Sequence, residues 1–453
     1  MTIFNYNDTI AAISTPPGVG GIAVIRLSGN DALSVALKAL NIRKLKPRFA
    51  QFARISDPET SLVIDDVIVT YFKAPASYTG EDTVEISCHG GDAASPAILS
   101  LLYDFGARPA LPGEFTRRAF MKGKMDLLQA EAVADLIHAV STGGRKIATR
   151  ALTGKLSKKI SALRKELTDI ASVLELELDF SEEEITPVSR RDVQKKISLA
   201  KNHIDLLARS YNSGKILREG ALVPIVGRPN AGKSSLLNAL LEEDRAIISH
   251  IPGTTRDTIE ESFLHDGFLF RLVDTAGLRE TEDHIEKIGT ERARAILKNA
   301  DLILLVLDLS LEDTYEFEKE FISRHRDTPL ILVCNKIDLN NSLPETGAKN
   351  MIGVSATQSY YIDALLDQML TTVQKHYHVD GNSVAITKQR HLRALRSSFD
   401  ALIRADKALS EGLSNEFPAL DIREAIHALD DITGETTSED VLNNIFSRFC
   451  IGK

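Results

Sequence analysis

The sequence predicts a multidomain chain. An α/β domain comes first, followed by a helical domain that a second, doubly wound α/β domain interrupts. Three observations carry this. The chain has 453 residues, and at about 150 residues per domain that suggests roughly three domains. Turn and strand signals fill the first 120 residues, and helical spacing takes over near Phe115. At Gly220 the pattern switches to apolar strands alternating with helices, and it returns to helix after Gly381. The boundaries read as 1–120, 121–217, 218–380 and 381–453.

Each element has its own signal. Ile22–Ile25 reads as a strand after the glycine-rich Pro16-Pro-Gly-Val-Gly-Gly21, and Val63–Phe72 and Thr83–Ser87 as further strands. Leu127–Val140 carries Ala, Leu and Glu at helical spacing. Residues 143 to 165 hold eight bases (Arg145, Lys146, Arg150, Lys155, Lys158, Lys159, Arg164, Lys165) and no acid. An acidic stretch, Glu175–Glu184, follows, and helical pattern resumes over Val188–Leu217. Then Ala221–Val226, Phe268–Val273, Leu302–Leu307 and Leu330–Val333 read as strands of a parallel sheet. The last helical region carries Lys388, Arg390, Arg393, Arg396, Arg404 and Lys407.

Composition excludes several classes. Sixty-three acids against 54 bases give a net charge of −9, which argues against coating nucleic acid by bulk charge but leaves room for a local basic patch. Cys88, Cys334 and Cys450 lie far apart. A disulfide framework and a cysteine zinc site are therefore not expected, and a reducing, cytoplasmic setting is. No base precedes Arg26 and Asp8 is acidic, unlike signal or transit peptides. The strongest apolar run, Leu302–Leu307, is far short of the ~20 residues that span a bilayer, so no membrane is expected.

The chemistry lies in the interrupting domain. Gly227-Arg-Pro-Asn-Ala-Gly-Lys-Ser234 fits GxxxxGK[ST] between an apolar strand and an apolar helical run, the context a phosphate-binding loop requires. Backbone N–H groups there can surround phosphates at a helix N-terminus. Lys233 can reach the β- and γ-phosphates, and the Ser234 hydroxyl can bind Mg²⁺. Asp274-Thr275-Ala276-Gly277 suits a metal-side carboxylate with a phosphate-sensing glycine. Thr254-Thr255 offers a second Mg²⁺ hydroxyl. In Asn335-Lys336-Ile337-Asp338 the carboxylate can accept two N–H bonds from guanine, which adenine cannot offer. Ser355-Ala356 fits a loop backing the base. Five elements in this order predict a Ras-like P-loop GTPase domain. Leu278 stands where many switch GTPases place a glutamine that orients water, so Glu280, Glu282, Asp283 and Glu286 become candidates. On the residues alone, each also reads as a solvated acid at a helix entry.

The whole chain resembles the bacterial tRNA-modification GTPase family called MnmE or TrmE. The residues that carry the likeness are Thr15-Pro-Pro-Gly18, Ser77-Tyr-Thr-Gly-Glu-Asp82, His89-Gly-Gly91, Pro112-Gly-Glu-Phe115, Leu127-Leu-Gln-Ala-Glu131, the GTPase motifs through Asp274-Thr-Ala-Gly-Leu-Arg279, and the terminal Phe449-Cys-Ile-Gly-Lys453. The resemblance implies a homodimer made by the N-terminal domain, which also binds a one-carbon folate (5,10-methylene- or 5-formyl-tetrahydrofolate). It implies a heterotetramer with the FAD-dependent subunit MnmG (GidA). It also implies modification of C5 of the wobble uridine of certain tRNAs, with a carboxymethylaminomethyl or aminomethyl group. By motif position it assigns folate contacts to Arg26, Glu85, Lys124 and Lys453, hydrolysis to Glu286, and a K⁺ site to Asn230, Ser249, Ile251 and Thr254. The expected GTP contacts are then Asn230, Ala231, Gly232, Lys233, Ser234, Ser235, Ser249, Thr254, Thr255, Asp274, Thr275, Ala276, Gly277, Asn335, Lys336, Asp338, Ser355 and Ala356, with Mg²⁺ on Ser234 and Thr255. Without the resemblance the four folate positions read as surface charges.

Cys450 has two readings. It is either packed among Ile445, Phe446, Phe449 and Ile451, or a functional thiol near the folate. Gly452 and Lys453 exclude a prenylation box. The rival function is a ribosome-assembly switch. The terminal helical pattern, with no RNA-binding module after the GTPase motifs, stands against it. No amphipathic insertion segment supports membrane fission.

Overall fold

The structure, a computed structural model, describes residues 8–179, 189–241, 260–274, 293–311, 314–344, 346–378 and 384–453. The chain forms two compact units. One comprises Met1–Ala134 with Asp430–Lys453, the other Asp135–Leu429.

The first unit holds a six-stranded sheet in the order β3-β4-β5-β2-β1-β6. Its strands are β1 (Ile10–Ile13), β2 (Ala23–Ser28), β3 (Gln51–Ser56), β4 (Val63–Phe72), β5 (Thr83–Cys88) and the short β6 (Arg108–Pro109). All neighbours pair antiparallel except β1 with β6. The period-two pattern explains the sheet. Along β4, Val67, Val69 and Tyr71 are buried beside α1 (Ala32–Leu40) and α2 (Ala94–Asp104), while Ile68 points outward.

Next come α3 (Glu114–Met121) and α4 (Leu127–Ile137). The helical domain read from sequence takes residues 381–453 as its second part. In the structure the segment from Asp430 packs with the N-terminal residues. Its last helix, α14 (Glu439–Phe446), brings Leu442, Phe446 and Phe449 against Leu127 and Ala130. The tail then returns to the sheet. Ser14 Oγ donates to the Gly452 carbonyl at 3.0 Å, and Phe115 N–H donates to the Lys453 carbonyl at 3.2 Å. Gly452 sits at φ 92°, and a Cβ there would lie 2.4 Å from the Ile13 oxygen, so only glycine fits.

A charged network is buried inside this unit. Arg118 donates to Glu114 at 3.0 Å, Glu81 at 3.1 Å and Asp8 at 2.6 Å. Arg108 reaches Glu114 at 2.6 Å.

The second unit combines α5 (Thr142–Leu152), α6 (Lys155–Asp179), α7 (Arg190–Arg209) and α8 (Tyr211–Glu219) with a second six-stranded sheet. The helical run expected as one piece over 188–217 breaks at Ser210. The sheet order is β12-β11-β10-β7-β9-β8. It is built from β7 (Ala221–Gly227), β8 (Glu260–His265), β9 (Phe268–Asp274), β10 (Ile303–Asp308), β11 (Leu330–Asn335) and β12 (Met351–Val354). Pairing is parallel except for β8, an antiparallel edge. The central strands are apolar because helices cover both faces. These helices include α9 (Lys233–Leu240), α10 (Glu316–Arg324) and α11 (Ile362–Tyr377). The chain returns to helix in α12 (Gln389–Ser410) and α13 (Glu416–Thr433). Among the described residues no helix is long and apolar enough to cross a membrane.

Burial pushes the Glu114 carboxyl up, but hydrogen bonds from Arg108, Leu111 N–H and Arg118 outweigh it and hold it below its ordinary value. A carboxyl lowered in the folded state stabilises above its unfolded pKa and loses that contribution as pH falls through the folded value. Glu114→Gln, which leaves the buried guanidinium of Arg118 and the partly exposed one of Arg108 undercompensated, should destabilise the unit by about 3–5 kcal/mol at pH 7. Urea midpoints measured from pH 7 downward should show the gap between wild type and variant closing below the ordinary glutamate value of 4.5. A gap independent of pH would contradict this account.

Candidate functional site

The nucleotide-site candidates converge at the carboxyl ends of the second sheet, where ligands of open α/β sheets bind. β7 ends at Gly227 and the loop Arg228–Gly232 leads into α9. Asn230 holds φ 62°, a left-handed conformation asparagine tolerates. Gly232 has φ 91°, and a Cβ there would stand 2.2 Å from Asn335 Nδ2, so this position excludes every side chain. The same Asn335 amide donates to the Ala231 carbonyl at 3.0 Å and accepts from Ala356 N–H at 3.0 Å. Asn335 therefore ties the phosphate loop to the Ser355-Ala356 loop. Lys233 curls into its own loop, donating to the carbonyls of Gly227 at 3.1 Å and Arg228 at 2.8 Å. These are places where phosphate oxygens can compete for the ammonium.

Ser234 Oγ donates to Asp274 Oδ2 at 3.2 Å. A hydroxyl and a carboxylate this close form a hard oxygen pair that suits Mg²⁺, which takes few protein ligands and completes its shell with water and phosphate. Lys336 forms an ion pair with Asp308. Burial pushes the Asp308 carboxyl up, yet hydrogen bonds from Lys336 and Ser310 hold it below the usual range. Asp338 is exposed beside this pair, and Ser355 is fully buried. Ser235 is exposed on the first turn of α9.

Ser249, Ile251, Thr254, Thr255, Thr275, Ala276, Gly277, Leu278, Glu280, Glu282, Asp283 and Glu286 lie outside the described residues. An open depression of about 590 Å³ lined by Pro329, Asn350, Asp367, Thr371, Lys375 and His376 lies at the opposite, amino ends of β11 and β12 and holds none of these residues.

A second polar site forms in the N-terminal unit. β2 pairs with β5 in a register that puts Arg26 opposite Glu85, and their side chains bond at 2.8 Å. The guanidinium lies over the rings of Tyr78, at 5.2 Å, and Phe115, at 5.6 Å. Lys453, in the tail, feels the charges of both. Burial lowers the pKa of its ammonium, Arg26 lowers it further, and Glu85 and Cys450 act the other way. One carboxylate, two cations and aromatic walls suit a heterocycle with N–H donors and an anionic tail. Lys124 is placed apart from this trio. Its ammonium donates to the Pro75 carbonyl at 3.0 Å, on the loop that also carries Tyr78. Sequence reasoning missed Tyr78 and Phe115 as parts of this site, although both sit in motifs singled out there.

Cys450 is exposed, as is Ile451, while Phe446 and Phe449 are buried. The packed reading of Cys450 therefore fails, because the turn that buries the two phenylalanines turns the thiol outward. The other cysteines are buried, which raises the thiol of Cys88 to about 11 and that of Cys334 to about 12.

Comparison with known proteins matches two family models. One, described as the MnmE helical domain, covers residues 127–450, and the other, described as GTP-binding protein TrmE N-terminus, covers residues 9–124. A relative from Chlorobium phaeobacteroides called tRNA modification GTPase MnmE is 44% identical over 464 residues, spanning 98% of this chain and 97% of its own. One of the same name from Natranaerobius thermophilus is 43% identical over 458 residues, spanning 98% and 99%. Among solved structures, the G domain of T. maritima FeoB is 25% identical, covering 34% of this chain and 98% of that chain with a TM-score of 0.26.

The exposed carboxylate of Asp338 generates a test of base recognition. Asp338→Asn loses the paired acceptor, and a hydrogen bond to a charged group contributes about 1.5–3 kcal/mol. GTP affinity should fall by about tenfold or more. Xanthine nucleotides, which carry an acceptor where guanine has its amino group, should bind the variant better than the parent. Titration of both nucleotides against both proteins checks this. An unchanged preference for GTP over XTP would remove Asp338 from the base site.

Proposed function

The chain belongs to the MnmE family of tRNA modification GTPases, and from that premise we propose that it works on C5 of the wobble uridine of certain tRNAs, with a one-carbon folate and the FAD-dependent subunit MnmG. As a member of that family it is a GTP-hydrolysing enzyme that takes part in tRNA modification. The observation that carries the finer reading is the grouping of Arg26, Glu85 and Lys453, since a plain timing switch has no use for a heterocycle site. The folate, when bound, supplies the one-carbon unit. Glu85 would accept from ring N–H groups, Arg26 would hold Glu85 in place, and Lys453 would face the anionic tail. Lys124 would contribute from the neighbouring loop, and the exposed thiol of Cys450 lies beside Lys453. The N-terminal unit is also proposed as the homodimerisation domain of a cytoplasmic heterotetramer.

In the GTPase domain, Lys233 and the backbone of the phosphate loop would hold the β- and γ-phosphates. Ser234, Thr255 and Asp274 would serve Mg²⁺, Ser234 and Thr255 as its direct ligands. Asn230, Ser249, Ile251 and Thr254 would hold K⁺. That cation would add positive charge where other GTPases use an arginine finger, whose contribution is roughly 10³–10⁵ in rate. Glu286 would orient or activate the attacking water, because Leu278 cannot.

Potassium should therefore accelerate hydrolysis by about tenfold or more over sodium. Turnover in matched K⁺ and Na⁺ buffers measures this, and Asn230→Ala should erase the difference. Equal rates for the parent protein would rule out the potassium site.

Glu286→Ala should lower kcat by about 10²-fold, the scale of lost general acid–base assistance, with nucleotide affinity kept within a few-fold. Mass analysis of tRNA nucleosides from cells lacking the gene, complemented with parent or variant, tests the function itself. The parent should restore the modified wobble uridine and the variant should not. Failure of the parent would refute the function, and full restoration by a hydrolysis-dead variant would leave GTP hydrolysis uncoupled from modification and return weight to the switch.

A further inference from the structure

The basic helices cannot be ranked by sequence, but their ion pairing ranks them. On α7, Lys195 pairs with Asp192, Lys201 with Asp406 and Arg209 with Asp205. Around α12, Lys388 pairs with Asp135, Arg404 with Asp421 and Glu424, and Lys407 with Glu411. Arg191 and Lys196 on α7 and Arg393 and Arg396 on α12 are exposed and show no ion pair among the described residues, but each is set among bases that are paired. On these faces paired and unpaired bases alternate.

The stretch from Arg145 to Lys165 is different. Arg145 and Lys146 on α5, and Lys155, Lys158, Lys159 and Lys165 on α6, are all exposed, and none has an ion-pair partner among the described residues. On α6 the apolar positions Leu156, Ile160, Leu163 and Leu167 are buried. Helical spacing puts Lys155, Lys158, Lys159 and Lys165 on the outward side over about 15 Å of axis. That length covers several phosphates at about 3.4 Å each along one strand of a duplex. The run ends at Glu166 and Asp169, both exposed. Such a concentration of unneutralised cations in a chain of net charge −9 is costly in self-repulsion unless a polyanion meets it.

We propose that this outward side of α5 and the first half of α6 is an RNA-backbone contact surface, taking phosphates of the tRNA substrate without reading bases. The proposal rests on the tRNA reading above. It favours RNA over an acidic protein because the face offers a row of point charges with no exposed large apolar side chain among positions 142–170 to serve as a protein anchor.

The test uses the full chain and an in vitro transcribed tRNA, with fluorescence anisotropy over a salt series. Lys155→Glu, Lys158→Glu, Lys159→Glu and Lys165→Glu are combined, with the matching four Lys→Gln changes as a milder second variant. Lys195→Glu with Lys196→Glu on α7 serves as the control. RNA-free GTP hydrolysis within twofold of the parent reports that each variant is folded. The charge-reversed protein should bind at least tenfold more weakly, and the slope of log affinity against log salt should fall by about 3. The Gln variant should shift the same way by less, and the control should stay within twofold. Parental affinity in the reversed variant, loss equal to that of the control, or no binding by the parent even at low salt would overturn the surface. Cells complemented with the reversed variant should lose the modified nucleoside. Should the parent itself fail to restore it, the function reading falls while the anisotropy still decides the surface.

Discussion

Two adjacent buried arginines hold the N-terminal unit together. Arg117 and Arg118 are neighbours on α3, so their side chains leave the helix about 100° apart. Arg118 turns toward the sheet-side carboxylates of Asp8, Glu81 and Glu114. Arg117 turns toward the terminal helix, donating to Asn443 at 2.6 Å and pairing with Glu439. A buried guanidinium is tolerated only where fixed acceptors surround it. The two ends of the chain, Asp8 and the 439–443 turn of α14, are therefore held to one short helix.

The grouping of Arg26, Glu85 and Lys453 depends on that constraint. Lys453 lies in a tail held by the Ser14–Gly452 and Phe115–Lys453 hydrogen bonds. Arg117 fixes α14, Phe446 and Phe449 bury the turn after it, and Gly452 lets the backbone pass close to Ile13. Only then does the Lys453 ammonium arrive beside Arg26 and Glu85. Arg26 is itself placed by strand register, and a one-residue slip of β2 against β5 would turn it to the other face of the sheet.

The nucleotide motifs were legible in sequence because their chemistry is local: a strand, a few loop residues and a helix start. The strands Val63–Phe72 and Leu330–Val333 were legible too, the first by length and β-branched content, the second by its unbroken apolar run. What stayed hidden was contact between distant segments. Nothing local in Asn335 shows that its amide spans two loops, and nothing near Gly452 shows what it approaches. β1 is only four residues long, and β8 ends in the unremarkable Leu264-His265, so neither carries a usable period. Nor does an acidic or basic count show pairing. On α7 the pairs of Lys195 and Arg209 lie within the helix and follow from spacing, but the partner of Lys201, Asp406, sits on another helix and is visible only in the fold.

β9 links the two halves of the second unit. At its carboxyl end Asp274 meets Ser234 of the phosphate loop. At the other end, the turn joining it to β8 presents the Gly267 carbonyl to Thr142 N–H at 3.1 Å, on the first turn of α5. A seven-residue strand spans about 23 Å, and it is stiff because β7 and β8 pair with it on both sides. Any shift of the sheet that accompanies a change around Asp274 must either be taken up at the Gly267–Thr142 contact or be passed into α5. The basic outward side of α5 and α6 begins three residues past Thr142, at Arg145. The strand carrying Asp274 thus abuts, at its far end, the helix on which the unpaired cations start, with no flexible linker between them.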